Sequence, residues 1–220
     1  MITACGTFNS QILGIVGRRK NMFKIYDKFL KMNDLETKYY VILSNLCTQE
    51  VNYFTAKTLY YYIYGDEYNE AKCCSLKKEL SKVLKTFGGT KIENTIYRFE
   101  RSYFTNGTYY CYLDWGDVLS VLRSNIKCKR QLIKYMALIA LSFDKTKVKG
   151  NVFAGFGYMP REFFSKKMGK SITTISNYTD ALHNLDVLYV FNRTKKTNVY
   201  CFKSGIPVAR EYVSSLKDEN

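Results

Sequence analysis

The sequence has few of the residues on which metal-dependent and nucleophilic enzymes rely. His183 is the single histidine among 220 residues, so a metal ion held between paired histidines is excluded. The seven cysteines form no CxxC pair and are odd in number, which argues against a disulfide framework. Most thiols are expected to pack as small hydrophobes, although Cys73 and Cys74 lie beside lysines that favour reactive thiols. We therefore predict a protein that is not an enzyme and that uses no metal, cofactor or catalytic residue.

The sequence also lacks a long apolar run. No window approaches the ~20 apolar residues that a membrane-spanning helix needs. The short apolar stretch 12–16 has no basic leader before it, which argues against a signal peptide. We therefore expect a cytoplasmic protein with no membrane partner.

Acidic residues are scarce relative to basic ones. The chain has 34 Lys and Arg against 19 Asp and Glu, which gives a formal net charge of +15. Such an excess favours a polyanionic partner, because each phosphate that the protein neutralises releases condensed counterions. A basic surface that is solvated and has no partner is the alternative interpretation.

The N-terminal part of the chain shows a basic arm followed by helical patterns. Residues 1–21 have little periodicity and end in a basic triplet, so they are predicted to form a flexible arm. From Met22 onward, apolar residues recur at helical spacing. Thr55 is placed to cap a short helix that ends near Gly65.

A lysine-rich segment over 72–85 is predicted to form an amphipathic helix. Leu76, Leu80 and Val83 fall on one apolar stripe at helical spacing, and Leu84 extends it. Four lysines lie off that stripe: Lys77, Lys78, Lys82 and Lys85. They form either a solvated helix face or a DNA-contacting face, and the net charge slightly favours DNA.

Two strand patterns follow this helix. Residues 92–99 and 108–113 are predicted to pair around a turn that contains Asn106 and Gly107. Helices followed by a hairpin are the order of a winged helix, although other small α+β domains share it. We therefore predict a winged-helix-like domain in this half of the chain.

The second half begins with a helix that is apolar on nearly all sides. Asp114 is placed to cap a short helix through about Arg123, and a basic link then leads to the apolar helix over 131–143. Such a helix is expected at the centre of a core or at a subunit contact, so a homodimer is one expectation. Residues 144–158 contain three glycines and are predicted to form a loop.

A helix-turn-helix is predicted to follow that loop. Pro160 suits the first turn of a helix, because its missing N–H would be unpaired there anyway. Gly169 suits a sharp turn, because glycine adopts positive φ without steric cost. Ser171 is then placed to cap a second helix.

This second helix has the properties of a recognition helix. Its buried face is predicted to carry Ile175, either Tyr178 or Thr179, Leu182 and Leu185. Short polar side chains near its start then face outward, where a recognition helix meets the base edges of the major groove. The predicted DNA contacts of this helix are Lys170, Ser171, Thr173, Thr174, Ser176, Asn177 and Tyr178.

The pattern changes from helical to strand period after Leu185. Residues 187–191 and 199–202 are predicted strands. The turn between them carries three basic residues: Arg193, Lys195 and Lys196. Such a hairpin is a wing, whose basic tip contacts backbone phosphate or a minor groove.

The segment from Gly157 to Phe191 resembles a known family. Its run GYMPREFFSKKMGKSITTISNYTDALHNLDVLYVF is similar to that of winged-helix proteins of mobile elements in low-GC Gram-positive bacteria. These include replication initiator-like and replisome-organiser proteins of plasmids and phages, and related regulators. The resemblance covers about 45 of the 220 residues, 157–202, and implies DNA-binding roles for the polar residues that begin the second helix. Many such helices carry Arg or Lys where this chain has Asn177, so the bidentate contact of arginine with guanine is absent there.

Together these patterns predict a helix-rich α+β protein of two tandem winged helix-turn-helix domains. The predicted divisions are an arm over 1–21, domains over 22–125 and 126–205, and a tail over 206–220. The predicted function is sequence-specific binding of double-stranded DNA from a plasmid or phage. The protein would act as a replication initiator-like protein or a transcriptional regulator, with replication or transcription machinery as further partners. The alternative is a protein-interaction module built on a winged-helix scaffold.

Overall fold

The computed structural model describes residues 22–65, 68–93, 95–143, 155–191 and 198–215. Within these ranges the chain is a mixed α+β structure with eight α-helices and three small antiparallel sheets. The helices are α1 (Asp34–Leu46), α2 (Ala56–Tyr64), α3 (Glu70–Val83), α4 (Trp115–Arg123), α5 (Lys129–Leu141), α6 (Arg161–Met168), α7 (Ile172–Asn184) and α8 (Ile206–Ser215). The strands are β1 (Met22–Tyr26), β2 (Val51–Thr55), β3 (Thr90–Ile92), β4 (Ile96–Glu100), β5 (Tyr110–Asp114), β6 (Phe156–Tyr158), β7 (Leu188–Phe191) and β8 (Val199–Phe202).

The segment from α1 to β4, here called the first unit, runs helix–strand–helix–helix–strand–strand. Its sheet has the order β2-β4-β3, and both pairings are antiparallel. The Thr55 hydroxyl accepts a hydrogen bond from the Thr58 N–H at 3.0 Å and so caps α2. α2 ends at Gly65, which has a φ of 85°, a value that glycine adopts without steric cost. The predicted start and end of this helix are thus confirmed.

The segment from α5 to β8, here called the second unit, repeats that order of elements. Its sheet has the order β6-β8-β7, again with antiparallel pairings. In both units the last strand lies in the middle, between the first strand and the second. The sequence predicts only a loop over 144–158, but Phe156–Tyr158 pair with β8. Three residues are too few to show the alternation that identifies a strand.

The chain forms strand β1 from Met22 onward, so the helix that the sequence predicts to begin there is wrong. Met22 pairs with Asp114 at one end of an antiparallel ribbon formed by β1 and β5. Phe23 and Ile25 are buried while Lys24 between them is not, which is the period of a strand. The apolar residues of this segment fit both periods, and pairing with a distant strand decides between them.

The hairpin predicted between 92–99 and 108–113 is wrong. β3 and β4 pair as neighbouring strands instead, with Ile92 opposite Ile96. Asn106 and Gly107 lie on the connection from β4 to β5, and β5 pairs with β1. A turn motif indicates where a chain bends, but it does not specify which strands pair.

The helix α5 lies at the centre of the molecule, as its apolar sequence predicts. It packs against α1, α4 and β5, and also against α6, α7 and β6. Eight of its thirteen residues are buried, and one core cluster extends from the first unit into the second. The two units therefore share an interior, and α5 is covered within a single chain.

The segment after β8 is a helix where the sequence predicts a tail. α8 packs against β7 and β8, and its Tyr212 joins a small second core around Phe156. The centroids of these two rings are 4.7 Å apart. The tail predicted over 206–220 is therefore wrong for 206–215, which extend the second unit. The predicted arm over 1–21 lies outside the described residues.

The cysteines within the described ranges are mostly buried, as the sequence predicts. Cys47, Cys73, Cys111 and Cys201 are buried, Cys128 is half-buried and Cys74 is exposed. Burial raises the pKa of the Cys47 and Cys201 thiols to about 12. These two thiols therefore stay protonated at neutral pH and pack as small hydrophobes.

Candidate nucleic-acid interface

The turn between α6 and α7 is built by a glycine and a serine cap. Gly169 ends α6 in the left-handed conformation, with φ 62° and ψ 39°, and the Lys170 N–H donates to the Ser165 carbonyl at 3.1 Å. The Ser171 hydroxyl accepts a hydrogen bond from the Thr174 N–H at 3.1 Å. The sequence predicts both roles. α7 therefore starts with one of its otherwise unpaired N–H groups already satisfied.

α7 is anchored by a buried face that includes Tyr178. Ile175 and Leu182 are fully buried, and Tyr178 is 8% exposed. The centroid of the Tyr178 ring lies 6.2 Å from that of Tyr135 in α5. The neighbouring Thr179 hydroxyl lies 2.8 Å from the Tyr135 hydroxyl. Tyr178 and Thr179 thus both belong to the core, and this burial corrects the assignment of Tyr178 as a DNA contact.

The start of α7 presents the other predicted residues at the surface. Lys170, Ser171, Thr173 and Asn177 are exposed, and Thr174 and Ser176 are half-buried. The hydroxyls of Ser171 and Thr174 lie 2.9 Å apart, so these two are partly engaged in capping. Asn177 offers an exposed amide, a group that can pair with adenine through two hydrogen bonds. Asp180, one position beyond the buried pair, is also exposed and adds a negative charge to α7.

Sequence reasoning missed one exposed residue of this surface, Ile172. Its side chain is 46% exposed, although isoleucine is usually buried. Its position in the sequence could have indicated this exposure, because Ile172 lies before the buried residues of this helix, which begin at Ile175. An exposed aliphatic group at the start of such a helix is suited to contact with a thymine methyl group.

The hairpin of β7 and β8 follows α7 as the sequence predicts. Phe191 lies opposite Val199 at the described end of the hairpin. The three predicted basic residues of its tip lie outside the described residues: Arg193, Lys195 and Lys196. At the base, Asp186 accepts hydrogen bonds from Tyr189 and Lys203. These polar contacts hold the hairpin against the end of α7.

α3 has the same place in the first unit that α7 has in the second. The side chain of Asn69 accepts a hydrogen bond from the Lys72 N–H at 3.0 Å and caps α3. The buried stripe consists of Cys73, Leu76, Leu80 and Val83, while Leu84 is half-buried. The predicted lysines are all exposed: Lys77, Lys78, Lys82 and Lys85. Lys85 lies in a short 3-10 turn that follows α3.

A cluster of charges links α3 to α1 within the first unit and to α5 of the second unit. Glu79 of α3 forms ion pairs with Lys38 of α1, at 2.7 Å, and with Arg130 of α5. The Tyr39 hydroxyl also donates to the Glu79 carboxylate at 3.1 Å. Burial opposes the ionisation of Glu79, but the two cations outweigh it and hold its pKa below the ordinary range. Sequence reasoning missed this cluster, because its members come from three separate helices.

The beginning of α5 adjoins both α3 and α7. Burial and then the nearby charges of Lys38 and Lys72 lower the pKa of Lys129 at the start of α5. On the side of α7, burial and then Cys128 raise the pKa of Tyr178. α3 is therefore linked to the beginning of α5 through the Glu79–Arg130 ion pair, whereas α7 packs against Tyr135 in the middle of α5.

Within the described ranges, no group of three or more His, Cys, Asp or Glu side chains is placed to hold a metal ion. His183 is exposed late in α7, with its Nδ1 3.1 Å from the Leu188 carbonyl oxygen. In the part of the chain that the structure describes, no helix has the length and apolar character to cross a membrane.

In comparisons with known proteins, no family model matches the chain and no curated protein matches it. Its function is therefore inferred from three features of the chain itself. These are the repeated order of elements, the exposed polar start of α7 and the exposed lysines of α3.

Proposed function

We propose that the protein binds double-stranded DNA sequence-specifically through two winged helix-turn-helix domains in tandem. The element order supports this, because each unit runs helix–strand–helix–helix–strand–strand and places its last strand in the middle of its sheet. In this proposal α3 and α7 are the recognition helices. The β3–β4 and β7–β8 hairpins are the wings, and the first wing is short because Ile92 already pairs with Ile96.

The observation that carries the proposal is the exposed polar surface at the start of α7. One face of this helix is fixed in the core by Ile175, Tyr178 and Leu182, while Thr173 and Asn177 face solvent. A helix held in this way can present hydrogen-bonding groups to base edges without the entropic cost of ordering a loop.

The exposed lysines of α3 supply the second part of the mechanism. Ammonium groups on phosphates give affinity that is independent of sequence and falls steeply with salt. Asn177 would then read bases while the α3 lysines position the duplex. Two recognition helices on one chain would engage successive major grooves, about 10 base pairs apart. Repeated sites of that spacing suit an initiator-like protein or a regulator of a plasmid or phage, as the resemblance over 157–202 implies.

The test is selection from a random pool of duplex DNA by the full chain, followed by sequencing. We expect one enriched motif or two spaced half-motifs. Asn177→Ala should relax selectivity at one position by about 1–3 kcal/mol. Lys195→Ala should weaken binding to all sequences alike and reduce the salt slope by about 1.

The outcomes separate this function from its rival. Locating the enriched motif in an origin or in a promoter distinguishes an initiator-like protein from a regulator. If no motif is enriched, and duplex DNA binds no more tightly than heparin does, the recognition role of α7 is wrong. The two units would then be a scaffold for protein interaction.

A further inference from the structure

A cavity of about 370 Å³ lies beside α3 in the first unit. Its walls come from the start of α2, from one side of α3 and from the turn between β3 and β4. A volume of this size is at the lower end of the range for small-molecule sites. It accommodates a small ligand but no helix of another protein.

Positive charge prevails among the charged groups that line the cavity. Lys57 and Lys77 contribute two ammonium groups, against the single carboxylate of Glu70. The Lys57 Nζ lies 5.3 Å from the centroid of the Tyr68 ring, so a cation and an aromatic surface stand side by side. Tyr68 is 47% exposed, and its ring is therefore open to a ligand. These groups suit an anion with a planar portion.

The inner wall of the cavity is enclosed by packed side chains. Tyr97, Ala56 and Cys73 line the cavity and are buried. The planar portion of a ligand would meet this wall while its charged group stays near the lysines.

We propose that this cavity binds a small organic anion with an aromatic portion, such as a nucleoside monophosphate or an aromatic carboxylate. The anionic group lies between Lys57 and Lys77, and the planar portion lies against Tyr68. Lys77 is also one of the predicted DNA contacts. If the proposed DNA-binding function holds, the bound anion occupies Lys77 and weakens DNA binding. The binding of the anion itself does not depend on that function.

The test uses the exposed thiol of Cys74, which lines the cavity. The full chain is treated with iodoacetamide, and alkylation of Cys74 is followed by peptide mass spectrometry. The probes are AMP and benzoate, with adenosine, benzamide and inorganic phosphate as counterparts that lack one of the two features. We expect AMP or benzoate to slow alkylation of Cys74 saturably and to leave that of Cys128 unchanged. The counterparts should act at least about ten-fold more weakly, because a charge-assisted bond or a stacking contact is lost.

Variants distinguish a specific site from general attraction of anions. Lys57→Gln should weaken protection about five-fold, since it removes one ammonium group that bonds to the anion. Lys72→Gln removes the same charge from α3 outside the cavity and should leave protection unchanged.

Three results would overturn the proposal. In the first, neither AMP nor benzoate protects Cys74 at concentrations up to about 10 mM, beyond which affinity carries little specificity. In the second, Lys72→Gln loses as much protection as Lys57→Gln. In the third, inorganic phosphate protects as well as AMP does. Protection by AMP alone, or by benzoate alone, supports the proposal and identifies the class of anion. None of these results bears on the DNA selection, which is carried out without the anions.

Discussion

Replacing Glu79 with glutamine removes the negative charge that holds α3 against α1 and α5. The Glu79 side chain is 15% exposed and that of Lys38 is 10% exposed, with their charged atoms 2.7 Å apart. Glutamine has nearly the same shape as glutamate, so the packing is retained while the ammonium of Lys38 loses its opposite charge. Arg130 is 46% exposed and can turn toward solvent, but Lys38 is enclosed.

The magnitude follows from the burial of the pair. Removing one partner of a fully buried ion pair costs about 3–5 kcal/mol, whereas an exposed pair contributes less than about 1 kcal/mol. Glu79 and Lys38 lie nearer the buried limit, so Glu79→Gln should lower the free energy of unfolding by about 2–3 kcal/mol. For a chain of this length that corresponds to a fall in Tm of roughly 4–12 °C. Arg130→Gln, the matched change at the exposed partner, should cost less than about 1 kcal/mol.

Urea unfolding followed by circular dichroism measures these differences. The lowered pKa of Glu79 means that its ionised form stabilises the folded protein at pH values above the ordinary 4.5. That contribution is lost as the pH falls below this value and through the folded-state pKa. The difference between the unchanged protein and Glu79→Gln should shrink accordingly. A loss below about 0.5 kcal/mol at pH 7, the range of ordinary surface changes, would refute the reasoning, as would a difference that does not shrink in acid.

Four further changes test the interior and the turn before α7, each by urea or thermal unfolding. Gly169→Ala should lower the free energy of unfolding by about 1–2 kcal/mol, because the backbone at this position has a φ of 62°, which a residue with a Cβ adopts only at a cost. No atom lies within 4 Å of the added Cβ, so the cost comes from the backbone conformation and not from a steric clash. Thr179→Val should cost about 1–3 kcal/mol, since it leaves the Tyr135 hydroxyl buried without its partner. Tyr135→Phe should cost less, because the Thr179 hydroxyl keeps its 3.0 Å bond to the Ile175 carbonyl. Burial raises the pKa of Asp117 to about 7, so stability should fall as the pH rises from 3.8 to about 7, and Asp117→Asn should remove that slope.

Elements with local start and stop signals were predictable from the sequence. Thr55, Gly169 and Ser171 act as predicted, because a cap needs only groups within a few positions along the chain. The apolar helix α5 was predictable for a related reason, since a helix with apolar residues on all sides is expected to be buried. β1 was not, and β5 was predicted as a strand but with the wrong partner, because the two strands that pair lie far apart along the chain. The apolar spacing around Phe23 fits a helix as well as a strand, and the tertiary partner decides.

The sequence predicts that the start of α7 is exposed, but it does not predict where the exposed surface of this helix ends. Helical spacing allows either Tyr178 or Thr179 on the buried face of α7. The structure buries both, because Tyr135 of α5 reaches across to this part of α7. The ion pairs of Glu79 were not predictable at all, since no local pattern relates a residue of α3 to Lys38 or Arg130.

The central position of α5 has a consequence for the order of events during synthesis. Domains of a growing chain generally fold one after another, with the N-terminal one first. Here α1 packs against α5, so the part of its buried surface that faces α5 stays uncovered until the ribosome has added residues 129–141. A ribosome that pauses earlier holds a nascent chain with an open apolar surface, which is exposed to chaperones and to neighbouring chains on the same messenger RNA. The first unit is therefore completed only when the first helix of the second unit has been made.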